Sequence, residues 1–187
     1  MMKLFIKNMV CPRCILSVQE IFKNAKVEVK NVSLGEVEIE EKNFSKKSKE
    51  IKASLQAVGF ELLDDPTAQL ITKIKSLLIQ QVQSGLEEHF SIQKFLKSKI
   101  FKDYSSLSKL FSEVEGITIE QFFLLQKIEK AKELIIYNEM PLFDIANSLG
   151  YSSGQHLSSQ FKRITGMTPT QFKAIGNKGR KSIDNLN

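Results

Sequence analysis

Two cysteines, Cys11 and Cys14, stand three residues apart in the run Met9-Val10-Cys11-Pro12-Arg13-Cys14. The run follows an apolar stretch and opens a helical pattern, which puts both thiols on one exposed turn. In a reducing compartment that spacing suits a metal site or a redox pair better than a structural disulfide. A helix N-terminus and the neighbouring Arg13 favour thiolate over thiol. Two soft sulfurs so placed can hold a soft ion such as Cu(I), or Zn(II) if further ligands arrive. No other Cys and no nearby His accompanies them, so a closed four-ligand zinc site within one chain is not expected. Three uses of the pair compete: metal sensing, thiol redox chemistry, and a fold kept only for protein contacts.

The remaining chemistry lies in polar side chains on two short helical segments. In Gly154 to Thr165, Leu157 and Phe161 at i and i+4 point inward, leaving Gly154, Gln155, His156, Ser159 and Lys162 outward. Ser152 or Ser153 can cap this helix. Polar groups near its start suit base edges, and Lys162 farther along suits phosphates. Ser105, Ser106, Ser108 and Lys109 occupy equivalent places in an earlier segment. His156 by itself is as ordinary as any surface histidine; its place on this helix makes it a candidate. His89 lies outside any motif. No triad, phosphate loop or paired-carboxylate site is found, so no enzyme is expected.

An internal repeat at an offset of 50 residues positions these side chains. Leu107, Ser108, Phe111, Gly116, Thr118, Gln121 and Phe122 recur identically as Leu157, Ser158, Phe161, Gly166, Thr168, Gln171 and Phe172. Upstream, Ile92, Phe95 and Phe101 align with Leu142, Ile145 and Tyr151. A helix-turn-helix-loop-helix unit is therefore duplicated, too few copies for a solenoid. Between the copies, Thr118 to Tyr137 reads as one helix of about 30 Å, close to the roughly 34 Å turn of B-DNA. Such a connector could hold two recognition helices in successive major-groove segments.

The expected helices after residue 66 are Ala68 to Gln83, Ser91 to Lys97, Tyr104 to Val114, Thr118 to Tyr137, Leu142 to Leu149, Gly154 to Thr165 and Thr168 to Ala174. Before it, an apolar strand Leu4 to Ile6 precedes a helix over Pro12 to Lys26. Strands Val27 to Ser33 and Glu36 to Glu41 flank Leu34-Gly35, a hairpin signal. A second helix over Ser45 to Val58 and a strand over Phe60 to Leu63 complete the order βαββαβ, which is ferredoxin-like. Asp64-Asp65-Pro66 is the expected boundary. The fold class is thus two domains: an N-terminal α+β ferredoxin-like domain over 1–65 and a C-terminal all-α double helix-turn-helix over 66–176, followed by a polar tail, 177–187, expected to fray.

Composition agrees with folded domains: 42% hydrophobic and 26% charged residues, too apolar for a disordered chain. The net charge of +6 is concentrated at the end, with 6 Lys+Arg against 2 Asp+Glu in residues 141–187, compared with 11 against 10 in 1–65 and 10 against 9 in 66–140. A basic end is a plausible footprint for a polyanion, and equally a solvated face. The first residues hold neither a signal-peptide core nor a membrane span, so a cytoplasmic location without membrane attachment is expected.

The run Ile145-Ala146, Leu149-Gly150-Tyr151, Leu157, Phe161-Lys162, Thr165-Gly166, Thr168-Pro169 and Phe172 closely resembles the AraC/XylS signature, and the resemblance reaches back to about Ala68. It implies a DNA-binding transcription regulator whose recognition helices contact bases through Gln155, His156 and Ser159 in the second copy and Ser105, Ser108 and Lys109 in the first, with the helix ends, Lys162 and Arg163 holding phosphates. Double-stranded DNA is the implied partner, with RNA polymerase recruitment and a homodimer as further expectations. The first copy departs from the pattern: Ile100 replaces the turn glycine, Ser112 replaces a common lysine, and Glu113 and Glu115 add negative charge. The second copy is therefore expected to carry most of the phosphate attraction.

Residues 3–65, with their Met-x-Cys-x-x-Cys loop, resemble the heavy-metal-associated domain of copper chaperones and metal-pump N-termini. That resemblance implies Cys11 and Cys14 as metal ligands and Met9 as a buried support for the loop. Asn8 stands where Gly is usual, and Pro12-Arg13 is unusual between the cysteines. A thioredoxin-like redox fold also uses Cys-x-x-Cys near a helix start, but residues 1–65 are too few for it. A metal-trafficking or sequestering protein with a helical interaction domain is the alternative to a metal-responsive regulator.

Overall fold

The computed structural model describes residues 2–40, 44–137 and 140–178. Its first elements are β1 (Met2–Lys7), α1 (Pro12–Asn24), β2 (Val29–Ser33), β3 (Glu36–Ile39), α2 (Phe44–Ala57) and β4 (Glu61–Leu63). The four strands form one sheet in the order β2-β3-β1-β4, and every neighbouring pair is antiparallel. Alternation along β1 buries Leu4 and Ile6, and β3 buries Val37 and Ile39; side chains two apart share a face. Val18 and Phe22 of α1 and Ile51 and Leu55 of α2 complete this core.

The β2–β3 hairpin turns at Gly35, whose φ is +77°. A Cβ there would stand 2.4 Å from Ser76 Oγ and 3.1 Å from Thr72 Cγ2, so the turn needs glycine for both its backbone angle and its neighbours. Thr72 and Ser76 belong to the first part of α3 (Pro66–Ser84). The chain divides into two compact units, Met1–Gln80 and Gln81–Asn187. The turn at Asp64-Asp65-Pro66, expected to separate domains, is instead where strands give way to α3, with Asp65 capping the helix through the Ala68 amide (2.7 Å). The division falls later because the start of α3 packs on the hairpin.

The second unit is helical: the end of α3, then α4 (Ile92–Lys99), α5 (Tyr104–Glu115), α6 (Ile119–Tyr137), α7 (Leu142–Ser148), α8 (Gly154–Thr165) and α9 (Pro169–Lys178). Each expected helix is present, most with ends shifted by a few residues. Helix α9 runs on to Lys178, into the expected tail; the rest of that tail, and Glu41 of the expected second hairpin strand, lie outside the described residues. Helix α6 buries Ile119, Phe122, Phe123, Ile128, Ala131 and Ile135, which span most of its circumference. Helices α5, α7, α8 and α9 all pack on it.

The repeat is structural in detail. Leu107 and Phe111 of α5 are buried like Leu157 and Phe161 of α8. Phe111 meets Phe122 edge-to-face at 5.7 Å, and Phe161 meets Phe172 at 5.5 Å. Gly116 and Gly166 end the two helices in the left-handed conformation. Thr118 and Gln121 exchange side-chain-to-amide hydrogen bonds, as Thr168 and Gln171 do. These are reciprocal capping boxes, and they account for the Thr and Gln identities.

One aligned pair breaks the symmetry. Tyr151 is 4% exposed, whereas Phe101 is 98% exposed. In the second copy the turn passes through Gly150 at φ +64°, where a Cβ would lie 3.0 Å from the Glu87 carbonyl. In the first, Ile100 is extended and itself buried. Without a left-handed turn the chain leaves α4 differently, and Ile100 takes the inward position that alignment had given to Phe101.

Candidate nucleic-acid interface and thiol turn

Helix α8 is fixed from within and open outside. Its N-cap Ser153 accepts a hydrogen bond from the His156 amide at 3.1 Å, satisfying an amide that the first turn leaves without a partner. Leu157 and Phe161 anchor the inner face. Gln155, His156, Ser159, Lys162 and Arg163 are all exposed, and their spacing places them on one outer face. Ser152 is exposed beside them; Ser153 and Gly154 are half-buried, positioning the helix rather than projecting from it.

The His156 ring is held in place by two neighbours. It stands edge-on to Tyr151 at 5.3 Å, and Nδ1 lies 3.4 Å from Ser152 Oγ. Arg163 Nη2 donates to Gln160 Oε1 at 2.8 Å, which steadies the guanidinium without neutralising it. Helix α8 has two cationic and no acidic residues. Its basic side chains sit in the last turn, where the helix dipole also favours cations.

Helix α5 has the same frame and different electrostatics. Asp103 caps it, accepting from the Ser105 amide at 3.0 Å and from the Ser105 hydroxyl. Those hydrogen bonds, the hydroxyl first, hold the Asp103 carboxyl below its ordinary value. Ser105 is therefore engaged by its own cap, while Ser106 is exposed. Ser108 is half-buried, so the structure does not group it with the exposed Ser105, Ser106 and Lys109. Lys109 lies 4.0 Å from Glu113, and Glu113 occupies the position of Arg163 in the repeat. The Tyr104 hydroxyl donates to Glu120; burial and that bond raise the phenol above its usual value.

Sequence reasoning missed Lys127. It is the residue of α6 whose ammonium lies 3.6 Å from the Tyr151 ring centroid, and burial pushes its amine down to about 8. Burial likewise pushes the Tyr151 phenol up to about 12. A lysine in a long mixed helix carries no signal that distinguishes an inward ammonium from a solvated one. His89, in the loop before α4, is exposed.

At the other candidate site, Cys11 is the N-cap of α1 and Pro12 takes its first turn, where the missing amide costs nothing. The Cys14 amide donates to the Cys11 carbonyl at 3.0 Å, and the two sulfurs are 3.3 Å apart. Both thiols are free and half-buried. Hydrogen bonds from the Cys14 backbone and thiol, aided by Arg13, lower the Cys11 thiol's pKa. Met9 is buried. Asn8 adopts φ +73° and donates from Nδ2 to the Gly59 carbonyl at 2.9 Å. Asparagine is one of the few residues that accept this conformation, which explains how it stands where glycine is usual. Among the described residues no group of three or more His, Cys, Asp or Glu side chains converges as a metal cage.

Residues 99–175 match a family model described as a helix-turn-helix domain. The chain is 29% identical over 129 residues to the probable transcriptional regulator LumQ of Photobacterium leiognathi, covering 67% of this chain and 51% of that protein. It is 26% identical over 101 residues to the transcriptional activator RhaR of Escherichia coli K12, covering 54% of this chain and 36% of that protein. The chain thus spans about half, or less, of the length of these relatives, which are regulators and not enzymes. In fold it is similar to the C-terminal domain of the response regulator AraT from Geobacillus stearothermophilus, with a TM-score of 0.52 and 18% identity over 66% of this chain and 95% of that one. An AraC-type DNA-binding domain protein from Chromobacterium violaceum gives 0.50 and 19%, over 58% of this chain and 96% of that one. Among the described residues no helix is long and apolar enough to cross a membrane.

Proposed function

We propose that this chain, whose residues 99–175 match a helix-turn-helix domain model, is a transcription regulator of AraC type that binds specific sequences in duplex DNA. The exposed face of α8 carries the reading: Gln155, His156 and Ser159 stand ahead of Lys162 and Arg163 with no acid among them. Amide and imidazole groups near a helix start reach base edges in a major groove, and cations behind them hold phosphates. Helix α5 is the weaker reader. Asp103, Glu113 and Glu115 oppose phosphate, and Lys109 is partly satisfied by Glu113.

This division of labour has a salt signature. Replacing Lys162 with Ala in the full chain should weaken binding to all duplex sequences alike and lower the slope of log affinity against log salt by about 1. Replacing Lys109 with Ala should change the slope less. Equal slopes for wild type and Lys162→Ala would remove α8 from the phosphate contact.

The first unit is read as a ferredoxin-like signal-receiving domain, supported by its βαββαβ order and its antiparallel strand order β2-β3-β1-β4. A soft ion is the signal that its thiols suit: Cys11 and Cys14, whose sulfurs stand 3.3 Å apart, would hold it, with the buried Met9 as a support for the loop. Two thiols without a third converging ligand fit Cu(I) and do not fit a closed zinc site. Titration of the reduced chain with Cu(I) in the presence of a competing chelator should give one equivalent bound, lost in Cys11→Ser. Equal copper retention by that variant would leave the unit as a scaffold for protein contacts. RNA polymerase and a second copy of the chain remain the proposed protein partners, and the cytoplasm the proposed location.

A further inference from the structure

We propose that the second unit holds a small-molecule site beside the start of α8, shaped for a compact carboxylate with a ring-bearing apolar body. The site is a cavity of about 320 Å³ lined by Phe90, Phe123, Lys127, Ser152 and His156, among others. That volume is at the small end of the range for ligand clefts, about 300 to 1,000 Å³.

The lining supplies complementary chemistry. Phe90 and Phe123 stack at 5.4 Å with 23° between their planes, making a continuous aromatic wall. Lys127 supplies the charge. Its depressed amine reflects burial alone, and no carboxylate among the described residues pairs with it. The Tyr151 ring face beneath its ammonium offsets only part of the cost of removing it from water. An anion entering the cavity would complete that balance. Glu88 also lines the cavity, but its carboxylate lies toward the His89 imidazole at 3.9 Å. Ser152 Oγ and His156 Nδ1, 3.4 Å apart, offer hydrogen-bonding groups for the second carboxylate oxygen. The Lys127 ammonium and two hydrogen-bonding side chains suit a carboxylate; a phosphate would call for more donors.

A further consequence rests on the DNA reading above. Ser152 and His156 border both the cavity and the exposed face of α8, so ligand and duplex would compete for them, each weakening the other by the same factor.

The test uses the full chain and phenylacetate as probe, with 2-phenylacetamide as its neutral analogue and acetate as the analogue without a ring. Calorimetry should show saturable binding of one phenylacetate, at least about tenfold tighter than either analogue. Backbone amide shifts should cluster at Phe90, Phe123 and Ser152. Lys127→Gln should weaken the acid about tenfold and leave the amide unchanged. No saturable binding, equal binding of acid and amide, or shifts confined to another region would overturn the site. The acid–amide comparison needs only wild-type protein, so it stands even if Lys127→Gln folds poorly. Separately, phenylacetate should weaken duplex binding; binding of the acid with unchanged DNA affinity would overturn the competition alone.

Discussion

At the scale of single residues, identical partners in a repeat can have opposite electrical surroundings. Gln155 and Ser105 occupy the same helical place, but Ser105 is held by the Asp103 cap while Gln155 projects freely from a helix capped by neutral Ser153. Gln155→Ala should therefore weaken specific binding by about 1–3 kcal/mol and spare non-specific binding; band-shift titrations on specific and scrambled duplexes would separate the two. Lys127 makes a different prediction, for stability. Its folded-state pKa of about 8 lies below the ordinary 10.5, so between those values the unfolded chain binds more protons than the folded one. Stability gained from this residue then rises with pH from about 8 toward 10.5. Lys127→Met should be more stable than wild type at neutral pH, with the advantage shrinking as pH climbs through 8 to 10, and denaturant melts at several pH values would follow it. A constant advantage would mean that the ammonium is not desolvated.

Elements were far more legible than side chains, because periodicity, caps and glycines act locally. The helices of the second unit were readable from inward residues such as Leu157 and Phe161 and from Gly166 at the C-cap. The Thr–Gln identities were visible as repetition, but their work as capping boxes appeared only with the hydrogen bonds. The sequence could not foretell that Ile100 would be buried and Phe101 exposed, since an apolar pair reads the same in either order until the turn's backbone is known. The Asp64-Asp65-Pro66 turn is a related case: a turn signal marks where an element ends, not which neighbours the next one packs against. At this scale Gly150→Ala is diagnostic. It incurs both a left-handed penalty of about 1–2 kcal/mol and a tight approach to the Glu87 carbonyl. Gly116→Ala meets no atom within 4 Å and bears the backbone penalty alone. Thermal melts should show the larger loss for Gly150→Ala; the reverse order would contradict the turn described here.

For the whole molecule, charge and geometry point the same way. Helix α8 contributes Lys162 and Arg163 and no acid to the basic excess in 141–187, and α6 joins its copy to one whose α5 holds Glu113 and Glu115. The 19 residues of α6 correspond to roughly 28 Å of helix, near the spacing of successive major-groove segments. A regulator built this way should read one strong patch and one weaker patch from the same side of the duplex. The most direct test is selection of bound sequences from random duplex DNA by the purified full chain. The prediction is enrichment of a site with two unequal patches about one helical turn apart, the stronger one lost on Gln155→Ala. Recovery of unselected sequence after repeated rounds, with wild-type protein folded and intact, would contradict sequence-specific DNA binding as the function of this chain.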